Sequence, residues 1–223
     1  MGGTYWPQLL ESRILSDADR SDQSGSADGD VIDWDMSDQI ILCTQIGYNG
    51  KDTAASAYKL QWRDETDNPG GSFTDVGATG EVKWATSSNT LTDDNSLTIS
   101  ETRCTDRRSG MGFHDGKENV GDNVLPDSGT LDLTSDDYTE LQWALDLSDA
   151  DDTHQYTFQL YNTTQGAAVG VCGAQITVAY YNAAPSITLN TADETEFSTN
   201  TPTLEFTGTD PDDDDIQYNI IIE

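Results

Sequence analysis

Residues 138–178 carry three apolar–polar alternations: YTELQWALDLS (138–148), THQYTFQLYNTT (153–164) and VGVCGAQITV (169–178). Leu141, Trp143, Leu145 and Leu147 fall on one side of the first segment. Tyr156, Phe158 and Leu160 do the same in the second, and Val169, Val171, Ile176 and Val178 are the apolar positions assigned to the third. A side-chain period of two is that of half-buried strands. The breaks at 149–152 (DADD) and 163–166 (TTQG) supply turn chemistry. The stretch reads as the closing hairpins of an antiparallel β-sandwich.

Working outward, residues 57–64 (AYKLQWRD) set Tyr58, Leu60 and Trp62 against Lys59, Gln61 and Arg63, the cleanest alternation in the chain. Residues 39–47 (QIILCTQIG) form a near-continuous apolar run, read as a buried strand ended by the Tyr48-Asn49-Gly50 turn. Further strands are expected at 81–86 (EVKWAT), with Val82 and Trp84 inward, and at 96–103 (SLTISETR). Residues 104–128 are Gly-rich and long for a loop in a compact domain, and read as an excursion. Together these make one β-domain over 39–184.

Residues 1–38 read as an arm. Tyr5, Trp6, Leu9, Leu10 and Ile14 form an apolar cluster, followed at 16–30 by SDADRSDQSGSADGD, a polar tether. An aromatic tip on a tether suits docking onto another subunit. The other reading folds Trp6 and its neighbours back onto the chain's own core.

Charge narrows the function. The 41 acidic residues against 10 basic ones leave a formal net of -31, which repels phosphate backbones and anionic membranes. Nucleic-acid binding is therefore not expected, and solubility in a salty medium is the simplest account. No stretch reaches the about 18 apolar residues of a membrane span, so membrane insertion is not expected. Residues 1–20 lack the basic start, apolar centre and small-residue cleavage site of a secretion signal. The three cysteines, Cys43, Cys104 and Cys172, cannot all pair. Buried thiols are expected, with a Cys104–Cys172 bridge as the alternative.

From Pro185 onward a second module begins, with strands expected at 186–190 (SITLN), 203–207 (TLEFT) and 216–222 (IQYNIII). The runs PSITL, TPTLEF and TDPDDDDIQY resemble the immunoglobulin-like, fibronectin-III-like and cadherin-like repeats of phage virion proteins and bacterial surface proteins. Asp213 stands where the turn of those repeats usually has Gly. SFTDVG (72–77) is similar to a Trp-Thr-Asp-Val-Gly run of fibronectin-III-like strands, with Phe73 in place of Trp. The resemblance implies an all-β fold: tandem antiparallel Ig-like β-sandwiches with an extended N-terminal arm, divided as 1–38, 39–184 and 185–223, the last incomplete as given. It implies a display context, and display-type modules without a secretion signal, the tethered apolar arm and the incomplete terminal module lead to the expectation of a virion component: a fibre, tail or capsid-decorating protein. Capsid, portal or tail proteins are then the partners, with further copies of the chain in the assembly and a host-surface glycan outside. The rival is a cell-surface adhesin or matrix protein. Neither carries an implied activity, since such sandwiches host many functions.

Among chemical sites, Asp210, Asp212 and Asp214 alternate carboxylates that suit Ca²⁺. They do not form an EF-hand, because Asp215 occupies the glycine position and Ile221 the glutamate position. Asp149, Asp151 and Asp152 with His154 are a weaker candidate. Two histidines and no paired cysteine spacing argue against zinc. Ser109 near His114 lacks the nucleophile-elbow context, and no phosphate-cradling glycine motif occurs. No cofactor is required by any motif. Trp84, Trp143 and Tyr180-Tyr181 are candidates for stacking on sugar, although alternation places Trp62, Trp84 and Trp143 in the core.

Overall fold

Alternating residues become strands only when a neighbour takes up their backbone N–H and C=O groups, and sheet pairing organises this chain throughout. The computed structural model describes residues 7–48, 54–105, 111–134, 136–180, 185–190, 205–210 and 216–217. Two units divide the chain, Met1–Tyr180 and Tyr181–Glu223. Among the described residues every regular element is a strand, and no helix is long and apolar enough to cross a membrane. The first eight are β1 (Gln8–Ser16), β2 (Val31–Asp35), β3 (Ile40–Tyr48), β4 (Ala54–Ser56), β5 (Tyr58–Asp64), β6 (Thr74–Asp75), β7 (Lys83–Trp84) and β8 (Ser96–Leu97). Then come β9 (Gly112–Phe113), β10 (Gly116–Asn119), β11 (Leu131–Leu133), β12 (Asp137–Asp146), β13 (Gln155–Asn162), β14 (Ala167–Ala179), β15 (Ser186–Leu189) and β16 (Phe206–Thr209).

In the first unit, one sheet runs β1-β3-β12-β10-β8, with β7 and β9 also on β12, and another runs β2-β14-β13-β5-β6. A small pair, β11 with β4, stands apart. Ile14, Leu42, Leu141, Trp143 and Leu145 of the larger sheet share one core with Tyr58, Leu60, Tyr156, Phe158 and Ile176 of the other. Each such side chain, fully buried, stabilises by about 1.5–3 kcal/mol. The pairing is mixed, where antiparallel pairing alone was expected: β10 and β9 run parallel to β12, and β2 runs parallel to β14. A parallel pair needs a long crossover, and the connection from β10 to β12, residues 120–136, provides one.

The apolar run at 39–47 is the strand β3, and its residues are buried along its whole length. One face enters the shared core. The other, with Ile41 and Cys43, forms a second core with Leu15, Ala85, Leu91, Cys104 and Ala144. Ala85, Leu91 and Cys104 belong to the segment between β7 and β9, which therefore covers the outer face of the larger sheet. Burial on both faces is why this strand reads as a continuous run rather than an alternation.

Several expectations are corrected. In place of an extended arm over the described part of 1–38, β1 pairs with β3 from Gln8 to Ser16. Ile14 is wholly buried, and Leu9 packs against the core. In β14 the inward positions are Cys172, Ala174, Ile176 and Val178, while Val171 is half exposed. Register shifts in the β13–β14 ladder accompany that change of face. The strand expected over 96–103 stops at Leu97, and the Gly-rich excursion supplies β9 and β10.

In the second unit, β15 and β16 pair antiparallel from Ser186↔Thr209 to Leu189↔Phe206. Ile187 and Leu189 remain mostly exposed there. Most of the third expected strand, 216–222, lies outside the described residues.

Gly116 shows how tightly β10 is seated on β12. A Cβ at this position would lie 1.9 Å from the carbonyl oxygen of Glu140, far inside contact distance, and backbone cannot swing aside as a side chain can. Gly116→Ala is expected to cost about 1–3 kcal/mol, read as a lower urea midpoint, whereas the same change at Gly77, where the added carbon would meet nothing closer than 3.4 Å, is expected to cost less.

Candidate functional site

The covering segment over the larger sheet brings backbone into the interior, and buried N–H groups require partners. Acidic side chains supply them. Glu11, Gln45 and Glu140 form a cross-strand row on β1, β3 and β12. Glu140 accepts from the backbone N–H of Arg103 at 2.9 Å and of Cys104 at 2.8 Å, and from Gln142 Nε2 at 2.7 Å. Glu11 accepts from the N–H of Thr105 at 2.7 Å and pairs with Arg13. Burial pushes the Glu140 carboxyl above its ordinary value, and the hydrogen bonds it receives only partly offset that.

Two further carboxylates fasten the same segment. Asp17, fully buried at the end of β1, accepts from Asn89 N–H at 2.8 Å and from the Ser88 hydroxyl. Glu118 on β10 accepts from Thr92 N–H at 2.8 Å and from Arg20 at 2.6 Å. Residues 88–105 are thus held onto the sheet at four carboxylates. Sequence reasoning missed all four, because an acid that caps a distant loop has no local pattern.

Cys43 and Cys104 share the second core, whereas Cys172 lies in the main core on the other side of the larger sheet. All three are free thiols, and the alternative of a Cys104–Cys172 bridge is overturned. Burial pushes the Cys43 thiol up to about 11 and Cys172 up to about 12, so neither is poised to react.

The residues singled out from sequence are dispersed. Asp212 and Asp214 lie outside the described residues, as do Tyr5, Trp6, Ser109 and Tyr181; Asp210 follows β16 and is half-buried. Asp149 pairs with Lys83 at 2.5 Å, and Asp152 accepts from Tyr180 N–H at 2.8 Å. Asp151 lies 4.0 Å from His154. The stronger partner of His154 is Asp64, at 2.7 Å from Nδ1. Trp84 and Trp143 are buried in the core, and the Trp143 indole N–H donates to Thr44 Oγ1 at 3.0 Å. Neither offers a face to a sugar.

Asp64 and His154, with Asp67, make one of two compact carboxylate groups among the described residues. A cavity of about 210 Å³ adjoins them, lined by Trp62, Asp64, Asp67 and Glu81 among others. Asp64 also accepts from the N–H groups of Thr66 and Asp67 at 2.6 and 3.2 Å. Its oxygens are therefore committed to the turn after β5, and the His154 contact clasps that turn to the start of β13. Burial raises the Asp64 value, but the bonds from His154 and the turn outweigh it and hold it below the usual range. The same bond to Asp64 raises His154.

The second group is Asp93, Asp122 and Asp127, whose carboxylate oxygens all lie within 4.8 Å of one another. It joins the turn before β8 to the loop after β10. Burial and the neighbouring Asp122, Asp93 and Asp94 push the Asp127 carboxyl up to about 6, the signature of crowded like charges. The chain matches no protein-family model, no curated protein and no solved structure.

Two outcomes follow from the fastening carboxylates. Glu140→Ala leaves the buried N–H of Cys104 and the part-buried N–H of Arg103 without acceptors, an expected loss of about 1–3 kcal/mol for the first and less for the second. Amide exchange at Arg103 and Cys104 should accelerate, with a smaller effect for Glu140→Gln, which keeps a carbonyl acceptor. For the clasp, a raised His154 contributes below about pH 6.5 and fades as pH rises through its folded value; a lowered Asp64 contributes above about pH 3.9 and fades as pH falls through its own. The stability difference between the native chain and His154→Gln is therefore expected to be largest near pH 5–6 and smaller at pH 9, in urea titrations at each pH.

Proposed function

We propose that the chain is a non-enzymatic structural protein of a virion, a fibre, tail or capsid-decorating component whose Ig-like β-sandwich modules are displayed on an assembled particle. The observation that carries this reading is the commitment of Glu11, Asp17, Glu118 and Glu140 to holding residues 88–105 on the larger sheet. Interior charge here fixes a loop surface, and a fixed loop surface is what display and assembly require. Other virion subunits, whether capsid, portal or tail proteins, are the partners, together with further copies of the chain. A host-surface glycan is the outward ligand. The net charge of -31 suits a salty medium and opposes contact with packaged nucleic acid. Docking rests on Tyr5 and Trp6, with Leu10 adjoining on β1. Ile14 belongs to the core and Leu9 packs against it. The exposed Ile187 and Leu189 on β15 add a second apolar surface.

A second reading, a cell-surface adhesin or matrix protein with Ca²⁺-rigidified modules, is favoured by the crowded carboxylates of Asp93, Asp122 and Asp127. Sedimentation of the native source material, with quantitative mass spectrometry of each fraction, separates the two. Co-sedimentation with capsid or tail proteins at a fixed stoichiometry is expected. Recovery on cell envelopes, with release by a chelator, would replace the virion reading with the second. A monodisperse monomer that never enters particles would overturn it.

A further inference from the structure

We propose that Asp93, Asp122 and Asp127 form a binding site for a single Ca²⁺ ion, completed by the side-chain amide oxygens of Asn119 and Asn123. The site goes beyond the virion reading; its ion is compatible with a displayed module on a virion and is also the ion that the second reading calls for.

Three observations carry it. The first is spacing: the three carboxylate oxygens lie no more than 4.8 Å apart. Oxygens on opposite sides of one Ca²⁺ are about 5 Å apart, since each bond is about 2.3–2.6 Å. The tighter shell of Mg²⁺, with bonds of about 2.0–2.1 Å, would require the loops to draw in.

The second is the lack of any compensating cation from the protein. Among the described residues no Lys or Arg pairs with Asp93, Asp122 or Asp127. Lys117 is taken by Asp94, the residue after Asp93, at 3.3 Å and by its carbonyl at 2.9 Å. Only backbone and amide donors reach the cluster: Val120 N–H to Asp93, and Val124 N–H and Asn119 Nδ2 to Asp122 Oδ1. The Asp64 group is the opposite case, with an imidazole and two backbone N–H groups already on it.

The third is a pair of buried amide oxygens. Asn119 is wholly buried, its carboxamide sits 2.7 Å from Asp122, and its Oδ1 has no hydrogen-bond partner. The Oδ1 of Asn123, one residue past Asp122, is likewise buried and unpartnered. A buried carbonyl oxygen without a donor costs about 1–3 kcal/mol. Asn119, whose amide nitrogen touches Asp122, and Asn123, next to Asp122 in the chain, thus bring two uncommitted hard donors to the segment that carries the carboxylates. Ca²⁺ takes 6–8 oxygens; the five residues and solvent supply that number. The ion would tie Asp93 to the end of β10 and the loop after it, which among the described residues pairs with a strand at Leu125, opposite Tyr58 of β5.

The test uses the full chain, stripped with a chelator and titrated with CaCl₂ in moderate salt. Calorimetry is expected to show one saturable Ca²⁺ per chain, with a rise in melting temperature as binding favours the folded state. Asp122→Asn and Asp127→Asn should each weaken binding by about tenfold or more and abolish that rise. Without Ca²⁺, Asp127→Asn should melt no lower than the native chain, because it removes repulsion; a residue with only a packing role would lower it. Asp67→Asn, in the other carboxylate group, should bind as the native chain does. Amide exchange on the native chain needs no variant, and Ca²⁺ should slow it at Val120 and Val124. Weak binding to many sites that salt displaces, retention of the site in both variants, its loss in Asp67→Asn, or unchanged exchange at Val120 and Val124 would each overturn the proposal.

Discussion

Burial of β3 on both faces is the constraint on which the first unit depends. Flanked by β1 and β12, the strand sends Leu42 and Ile46 into the core shared by the two sheets and Ile41 and Cys43 to the opposite side. A sheet with apolar residues on both faces must be covered twice. The second sheet covers one side. The other is covered by irregular chain around Ala85, Leu91 and Cys104, and irregular chain brings N–H groups that no strand can satisfy. That requirement explains why Glu140 and Asp17, of a type that is almost never buried alone, are wholly buried in this protein.

The contrast among carboxylates follows from the same physics. An acid inside a protein is tolerated when donors surround it, because burial penalises an isolated charge heavily. Glu140 meets three donors, and Asp64 meets a histidine and a turn. Asp127 meets other carboxylates. In a chain of net charge -31, proximity of acids is unavoidable and says little by itself. The information lies in which acids have donors and which have other acids.

Period-two alternation is a local property, so the strands at 58–64, 138–146 and 155–162 were legible residue by residue, as was the depth of Trp143 and Tyr156. The buried strand at 40–48 was equally plain from its near-continuous apolar run. Reading failed where a residue's partner is far along the chain. The segment expected to be an arm alternates too weakly to declare itself a strand, and only the ladder with β3 makes it one. Val171 and Cys172 are both apolar enough for the core, and the shifted register of β13 and β14 chose Cys172.

The candidate sites divide along the same line. The acidic runs 210–215 and 149–152 stand out in sequence, yet Asp149, Asp151 and Asp152 turn to Lys83, His154 and Tyr180 rather than to one another. Asp64 meets His154 across 90 residues, and Glu140 meets Arg103 across 37. By itself the sequence determined the all-β class, most of the core and the acidic surface, because hydrophobic periodicity and net charge are sums over neighbouring or independent residues. Only the tertiary structure decided which carboxylates fasten loops and which crowd together, because that depends on where donors from distant segments come to rest.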